Sequence, residues 1–65
     1  MVTIREARKN ARYSQEAAAG KLGMSRPTYA KLENNPDLID MRTARNIASL
    51  FEVSIDELNF FENEL

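Results

Sequence analysis

The segment from Ser14 to Asn34, SQEAAAGKLGMSRPTYAKLEN, constrains this chain more than any other. Its spacing predicts two short helices joined by one tight turn. Ser14 and Ser25 are suited to cap those helices, because a serine oxygen accepts from the orphan amides of a first turn. Gly23 falls between the two patterns, where the chain must reverse and a positive φ costs glycine least. Ala18, Ala19 and Leu22 on one side of the turn, and Tyr29 and Leu32 on the other, recur at helical spacing. The two helices therefore have apolar faces that can pack against each other.

The rest of the chain reads as more helix around this pair. Thr3-x-x-Glu6 has the form of a capping box, so a first helix should run to about Asn10 with Ile4, Ala7 and Arg8 at helical spacing. Tyr13 is expected to pack on the helix that follows it. Asn35-Pro36-Asp37 interrupts the pattern, since a residue before proline is pushed out of the α region. Asp40 can cap a fourth helix whose inner face carries Met41, Ala44, Ile47, Ala48 and Phe51. Ser54-x-x-Glu57 repeats the capping-box form and predicts a fifth helix through Ile55, Leu58 and Phe61. The expectation is an all-α fold, a compact five-helix domain spanning residues 1–65 with a helix-turn-helix at its centre.

Composition sets what such a domain can do. Sixty-five residues bury only about 60% of the unfolded surface, so the core is thin. The chain has no cysteine and no histidine, which removes disulfides, thiolate metal sites and the commonest general base. With only Gly20 and Gly23, no glycine-rich loop can cradle a phosphate. An enzyme is therefore not expected, nor is a metal or cofactor. No apolar run approaches a membrane span or a signal region. The net charge of −1 hides a strong division. Residues 1–33 carry seven basic and three acidic side chains, whereas residues 34–65 carry two basic and seven acidic. A polyanion would meet the first half and be repelled by most of the second.

Ser14-Gln15-Glu16, Lys21-Leu22-Gly23, Ser25-Arg26, Thr28 and Lys31-Leu32-Glu33-Asn34, taken in order, resemble the phage-repressor (Cro/C1-type, also called XRE) helix-turn-helix family. The resemblance implies a lambda-repressor-like fold and sequence-specific binding of double-stranded DNA. It implies base contacts from Arg26, Pro27, Ala30 and Lys31, and phosphate contacts from Gln15, Ser25, Asn34 and Arg42. The residues themselves agree. If Tyr29 and Leu32 face the core, Arg26, Pro27, Ala30 and Lys31 lie on the other side of a helix that can enter the major groove. Arg26 can donate two parallel bonds to guanine, and Pro27 and Ala30 can touch a thymine methyl. Arg8 and Arg12 extend the candidate phosphate rim.

The chain departs from the family pattern at Arg12, Asn35 and Glu52, where glycine is usual, and at Ala18, where leucine is usual. Gly20 sits inside the second helix, at about 1 kcal/mol relative to alanine. Asp37 and Asp40 place negative charge in a loop that many relatives make basic. Phe60, Phe61 and Leu65 exceed what so small a domain readily buries, which suggests a two-fold homodimer. The expected function is a transcriptional regulator, a repressor, on a near-palindromic operator. It is expected to be cytoplasmic and nucleoid-associated, bacterial or phage-encoded, with no ligand-sensing domain. Two alternatives share the fold: the antitoxin of a toxin–antitoxin pair, and a protein–protein adaptor that has lost DNA binding. A protein partner, a toxin or antirepressor, belongs to the first alternative.

Overall fold

In the computed structural model, which describes residues 1–60, four α-helices follow one another: α1 (Ile4–Asn10), α2 (Gln15–Lys21), α3 (Arg26–Asn34) and α4 (Met41–Phe51). Short 3-10 turns at Pro36–Leu38 and Ile55–Glu57 flank α4. The N-caps fall where the sequence places them. Thr3 Oγ1 accepts from Glu6 N–H at 3.0 Å while Glu6 Oε1 accepts from Thr3 N–H at 2.9 Å, completing the first capping box. Ser14 accepts from Ala17 N–H, Ser25 from Thr28 N–H, and Asp40 from Thr43 N–H. That last bond holds the Asp40 carboxyl below its ordinary pKa.

Each helix is too short to stand alone, so packing holds the set together. The core gathers Ile4 and Ala7 of α1, Ala18 and Ala19 of α2, Tyr29 of α3, Ile47, Ala48 and Phe51 of α4, and Leu58. α2 packs on α3 more extensively than any other pair of elements, and its alanines permit that close approach. Tyr13 packs against the core and meets α4, its ring 5.8 Å from that of Phe51 and tilted at 46°. Met41, expected on the inner face of α4, is 58% exposed; it opens the helix, and the buried face begins one turn on, at Ala44.

The expected fifth helix does not form within the described residues. Its capping box is present, with Ser54 N–H donating to Glu57 Oε1 at 2.9 Å, but only a single 3-10 turn follows. Leu58 then takes an extended conformation (ψ 137°) and forms a parallel bridge with Val2. Val2 N–H donates to Glu57 O at 2.8 Å and Asn59 N–H to Val2 O at 2.7 Å. The Asn59 amide that a continuing helix would return to Ile55 is thus used to tie the chain to its own start. Leu58 is 2% exposed, so the core is closed by an extended segment where a helix was expected.

Three helices end alike, with a left-handed residue and paired 5→2 and 6→1 bonds. After α1, Arg12 N–H donates to Lys9 O and Tyr13 N–H to Arg8 O; after α2, Gly23 N–H to Gly20 O and Met24 N–H to Ala19 O. After α4, Glu52 N–H donates to Ser49 O and Val53 N–H to Ala48 O. The left-handed residues are Arg12 (φ 67°), Gly23 (φ 73°) and Glu52 (φ 58°). Asn35 ends α3 differently, at φ −135°, with its side-chain amide donating to Lys31 O.

Candidate nucleic-acid interface

α3 has two unlike faces. Tyr29 is wholly buried and Leu32 half-buried, while Arg26, Pro27, Lys31 and Asn34 are exposed and Ala30 is half-buried at the boundary. Pro27 fits the first turn, where its missing N–H has no helical partner to lose. The N-terminal end of α3 therefore presents Arg26, Pro27, Ala30 and Lys31 along one side of a helix anchored from the other. Ser25 is exposed, and its hydroxyl also bonds Thr28 Oγ1 at 2.9 Å.

Beneath this surface lies a charged network that sequence reasoning missed. The Glu33 side chain has no exposed surface and receives five donors. Arg8 Nε donates to Oε2 at 2.6 Å, and the Tyr29 hydroxyl to the same oxygen at 2.6 Å. Gln15 Nε2 donates to Oε1 at 3.0 Å, with Arg5 Nε and the Arg8 Nη2 atom each at 3.4 Å. Burial alone would raise the Glu33 pKa, but the bonds from Arg8, Tyr29 and Gln15 outweigh it and hold the carboxyl below its ordinary value. Burial, and the bond to Glu33, push the Tyr29 phenol far above its usual range. The bond to Glu33 likewise raises the Arg8 guanidinium, against its own burial.

This corrects one expectation. Arg8 is 8% exposed, so it is a strut inside the domain rather than part of an outer rim. Its Nη1 also donates to Tyr13 O at 2.9 Å, tying α1 to the turn before α2. Two signals pointed here. Arg8 stands four residues after the core residue Ile4, and Glu33 four after Tyr29, so each charge occupies a core-facing helical position. A charge at such a position requires a partner.

The network reaches the surface at two points. Gln15, half-buried at the start of α2, accepts from Arg26 Nη1 at 3.3 Å through Oε1. Asn34 Oδ1 accepts from Arg5 Nη2 at 3.3 Å. Gln15, Arg26 and Asn34 are thereby linked through α1 and Glu33, while Arg42 stands exposed on the first turn of α4, outside the network. Phe60 is half-buried and lines a groove of about 370 Å³ with Pro36, Ile39, Met41, Ala44 and Ile55, rimmed by Asp37 and Asp56. Phe61 and Leu65, expected to join it in a dimer contact, lie outside the described residues. Among the described residues no helix is long and apolar enough to cross a membrane.

A capped helix pair around a glycine turn, with a polar outward face on its second helix, is the signature region of a known family. The family model described as helix-turn-helix matches residues 4–58, and the chain belongs to this XRE-type helix-turn-helix family. It is 34% identical over 55 residues to an uncharacterized HTH-type transcriptional regulator, YqaE, of Bacillus subtilis (strain 168). That match covers 85% of this chain and 47% of the relative, so the chain spans about half the relative's length. No solved structure matches the chain.

Proposed function

We propose that this protein is a sequence-specific DNA-binding transcriptional regulator, a repressor, that reads the major groove with α3. The observation that carries this reading is the outward face of α3, where Arg26, Pro27, Ala30 and Lys31 stand together on a helix fixed by Tyr29 and Glu33. A helix laid in the groove needs one face for the core and one for base edges, and α3 has both. In this reading Arg26 bonds a guanine edge, Pro27 and Ala30 contact apolar base atoms, and Lys31 reaches a base or phosphate. Gln15, Ser25, Asn34 and Arg42 meet the backbone and set the register. The basic first half of the chain supplies attraction for the polyanion, and the acidic second half points it away.

The same reading includes a homodimer joined through Phe60, Phe61 and Leu65, which would hold two copies of α3 on a near-palindromic site. Half-site centres would then lie about 34–36 Å apart, one turn of DNA. Selection of sites from a random duplex pool tests both statements. Enrichment of a two-fold symmetric sequence, with affinity falling as salt rises, is the expected result. A pool that stays random overturns DNA reading, and enrichment of a lone half-site by a chain that sediments as a monomer overturns the dimer.

A further inference from the structure

The two 3-10 turns and the start of α4 enclose a groove that takes no residue from α2 or α3. Its volume of about 370 Å³ lies at the small end of the range of ligand clefts, about 300–1,000 Å³. Ile39, Met41, Ala44, Ile55 and Phe60 make the lining largely apolar. Three large apolar side chains are well exposed among the described residues, and two of them stand here: Met41 in the lining, and Leu38, 73% exposed, between the lining residues Asp37 and Ile39. Apolar surface gathered in this way on a small domain marks a place of contact. The charges around it say what kind of partner fits. Asp37 and Asp56 stand in the lining, one from each 3-10 turn, and neither basic residue of the second half, Arg42 or Arg45, joins them. Neither carboxylate has an ion-pair partner among the described residues, where both ion pairs belong to Glu33. The chain's own end is a poor match, because residues 61–65, FENEL, add Glu62 and Glu64 and no cation.

We propose that this groove is a docking site for a cationic segment of another protein, an apolar anchor such as Leu or Phe flanked by Lys or Arg. The anchor fills the groove against Ala44 and Phe60, and the flanking cations meet Asp37 and Asp56. An exposed ion pair adds little on its own, so burial of the anchor supplies the affinity while the two carboxylates select against acidic and neutral segments. The proposal stands whether or not α3 reads DNA, since no residue of α3 lines the groove. A cationic partner is also repelled by the basic half of the chain that carries α3. The homodimer proposed above brings the tails of two copies together, and only Phe60 is common to that contact and the groove.

The test is selection of short random peptides, displayed in a pool, on the full-length wild-type chain, followed by titration of each enriched peptide into the isotope-labelled chain. Peptides that shift the resonances of Ile39, Ala44 and Phe60 should carry Lys or Arg on both sides of an apolar residue. Acidic peptides drawn to the basic half shift other resonances and are set aside. Replacing the anchor by Ser should abolish binding, and Asp37→Asn combined with Asp56→Asn should weaken it about fivefold. Both carboxylates are exposed, so this double variant should unfold at the wild-type temperature. Raising ionic strength from about 0.15 M to about 1 M, which shortens the screening length to about 3 Å, should cost the wild type a similar factor and the double variant little. Peptides that reach the groove without cations, or that bind the double variant as well as the wild type, overturn the proposal. A pool from which no peptide reaches the groove does the same. Groove resonances that shift with the concentration of the peptide-free chain show a second copy seated there, and contacts from Leu65 to Ala44 in that chain show its own tail; either result overturns the proposal too.

Discussion

Replacing the two left-handed side chains by glycine should stabilise the domain. Arg12 and Glu52 close α1 and α4 at φ 67° and 58°, in the same double-bonded turn that Gly23 makes after α2. An L-residue there costs about 1–2 kcal/mol because its Cβ crowds the following carbonyl. Glycine removes that strain but gives the unfolded chain more freedom, an offset of about 0.5–1 kcal/mol. The net gain for Arg12→Gly or Glu52→Gly is therefore about 0.5–1 kcal/mol each. At about 4–8 °C per kcal/mol for a domain of this size, each should raise Tm by a few degrees. The two sites flank the Tyr13–Phe51 ring contact, so their effects need not add, and the double variant measures the coupling. Asn35→Gly is the internal control. Asn35 is another position where glycine is usual, but its φ of −135° is open to any residue. Glycine there loses the bond from the Asn35 amide to Lys31 O, and stability should fall by about 0.5–1 kcal/mol. Thermal and urea unfolding followed by circular dichroism reads all four. If Arg12→Gly and Glu52→Gly fall together with Asn35→Gly, backbone strain is not what these turns store.

Gly20→Ala should raise stability by about 1 kcal/mol in the same assay, since an added Cβ in α2 meets nothing within 4 Å. Glu33→Leu should destabilise by about 3–5 kcal/mol, because it leaves the buried Arg8 charge without its partner, and Arg8→Met added to it should recover much of the loss. Because the fold lowers the Glu33 pKa, its contribution is fully present above the unfolded value near 4.5 and is lost as pH falls through the folded one. Acid unfolding should accordingly be shallower in the Arg8→Met, Glu33→Leu pair than in the wild type. Arg26→Ala should weaken binding to the selected site by about 1–3 kcal/mol and relax preference at one base pair per half-site; unchanged preference in a competition assay would remove Arg26 from readout.

The elements best legible in the sequence were those set by local chemistry. Thr3, Ser14, Ser25 and Asp40 cap where their side chains predict, and Gly23 turns the chain where a glycine was needed. The same logic failed at Ser54. A capping box specifies how a helix starts, whereas its length depends on what the following residues can bury, and Leu58 buries best against Val2 in an extended form. The outward face of α3 followed from periodicity alone. The support beneath it was legible only in part: Arg8 and Glu33 each stand four residues after a core residue, but their meeting across 25 residues of chain shows in the fold alone. Arg8, expected on the phosphate rim, is instead the buried partner of Glu33. The three family glycine positions separated only with the backbone angles: Arg12 and Glu52 hold the strained conformation and Asn35 does not.

The central claim is that one face of this small domain, built by the start of α2 and the outward side of α3, meets duplex DNA. Titrating the isotope-labelled chain with its selected duplex and following backbone amide resonances tests that face directly. The account predicts perturbations centred on Gln15, Ser25, Arg26, Ala30, Lys31 and Asn34, with the groove around Ile39, Ala44 and Phe60 responding no more than the rest of the chain. Perturbations centred on that groove, with α3 unmoved, would contradict it.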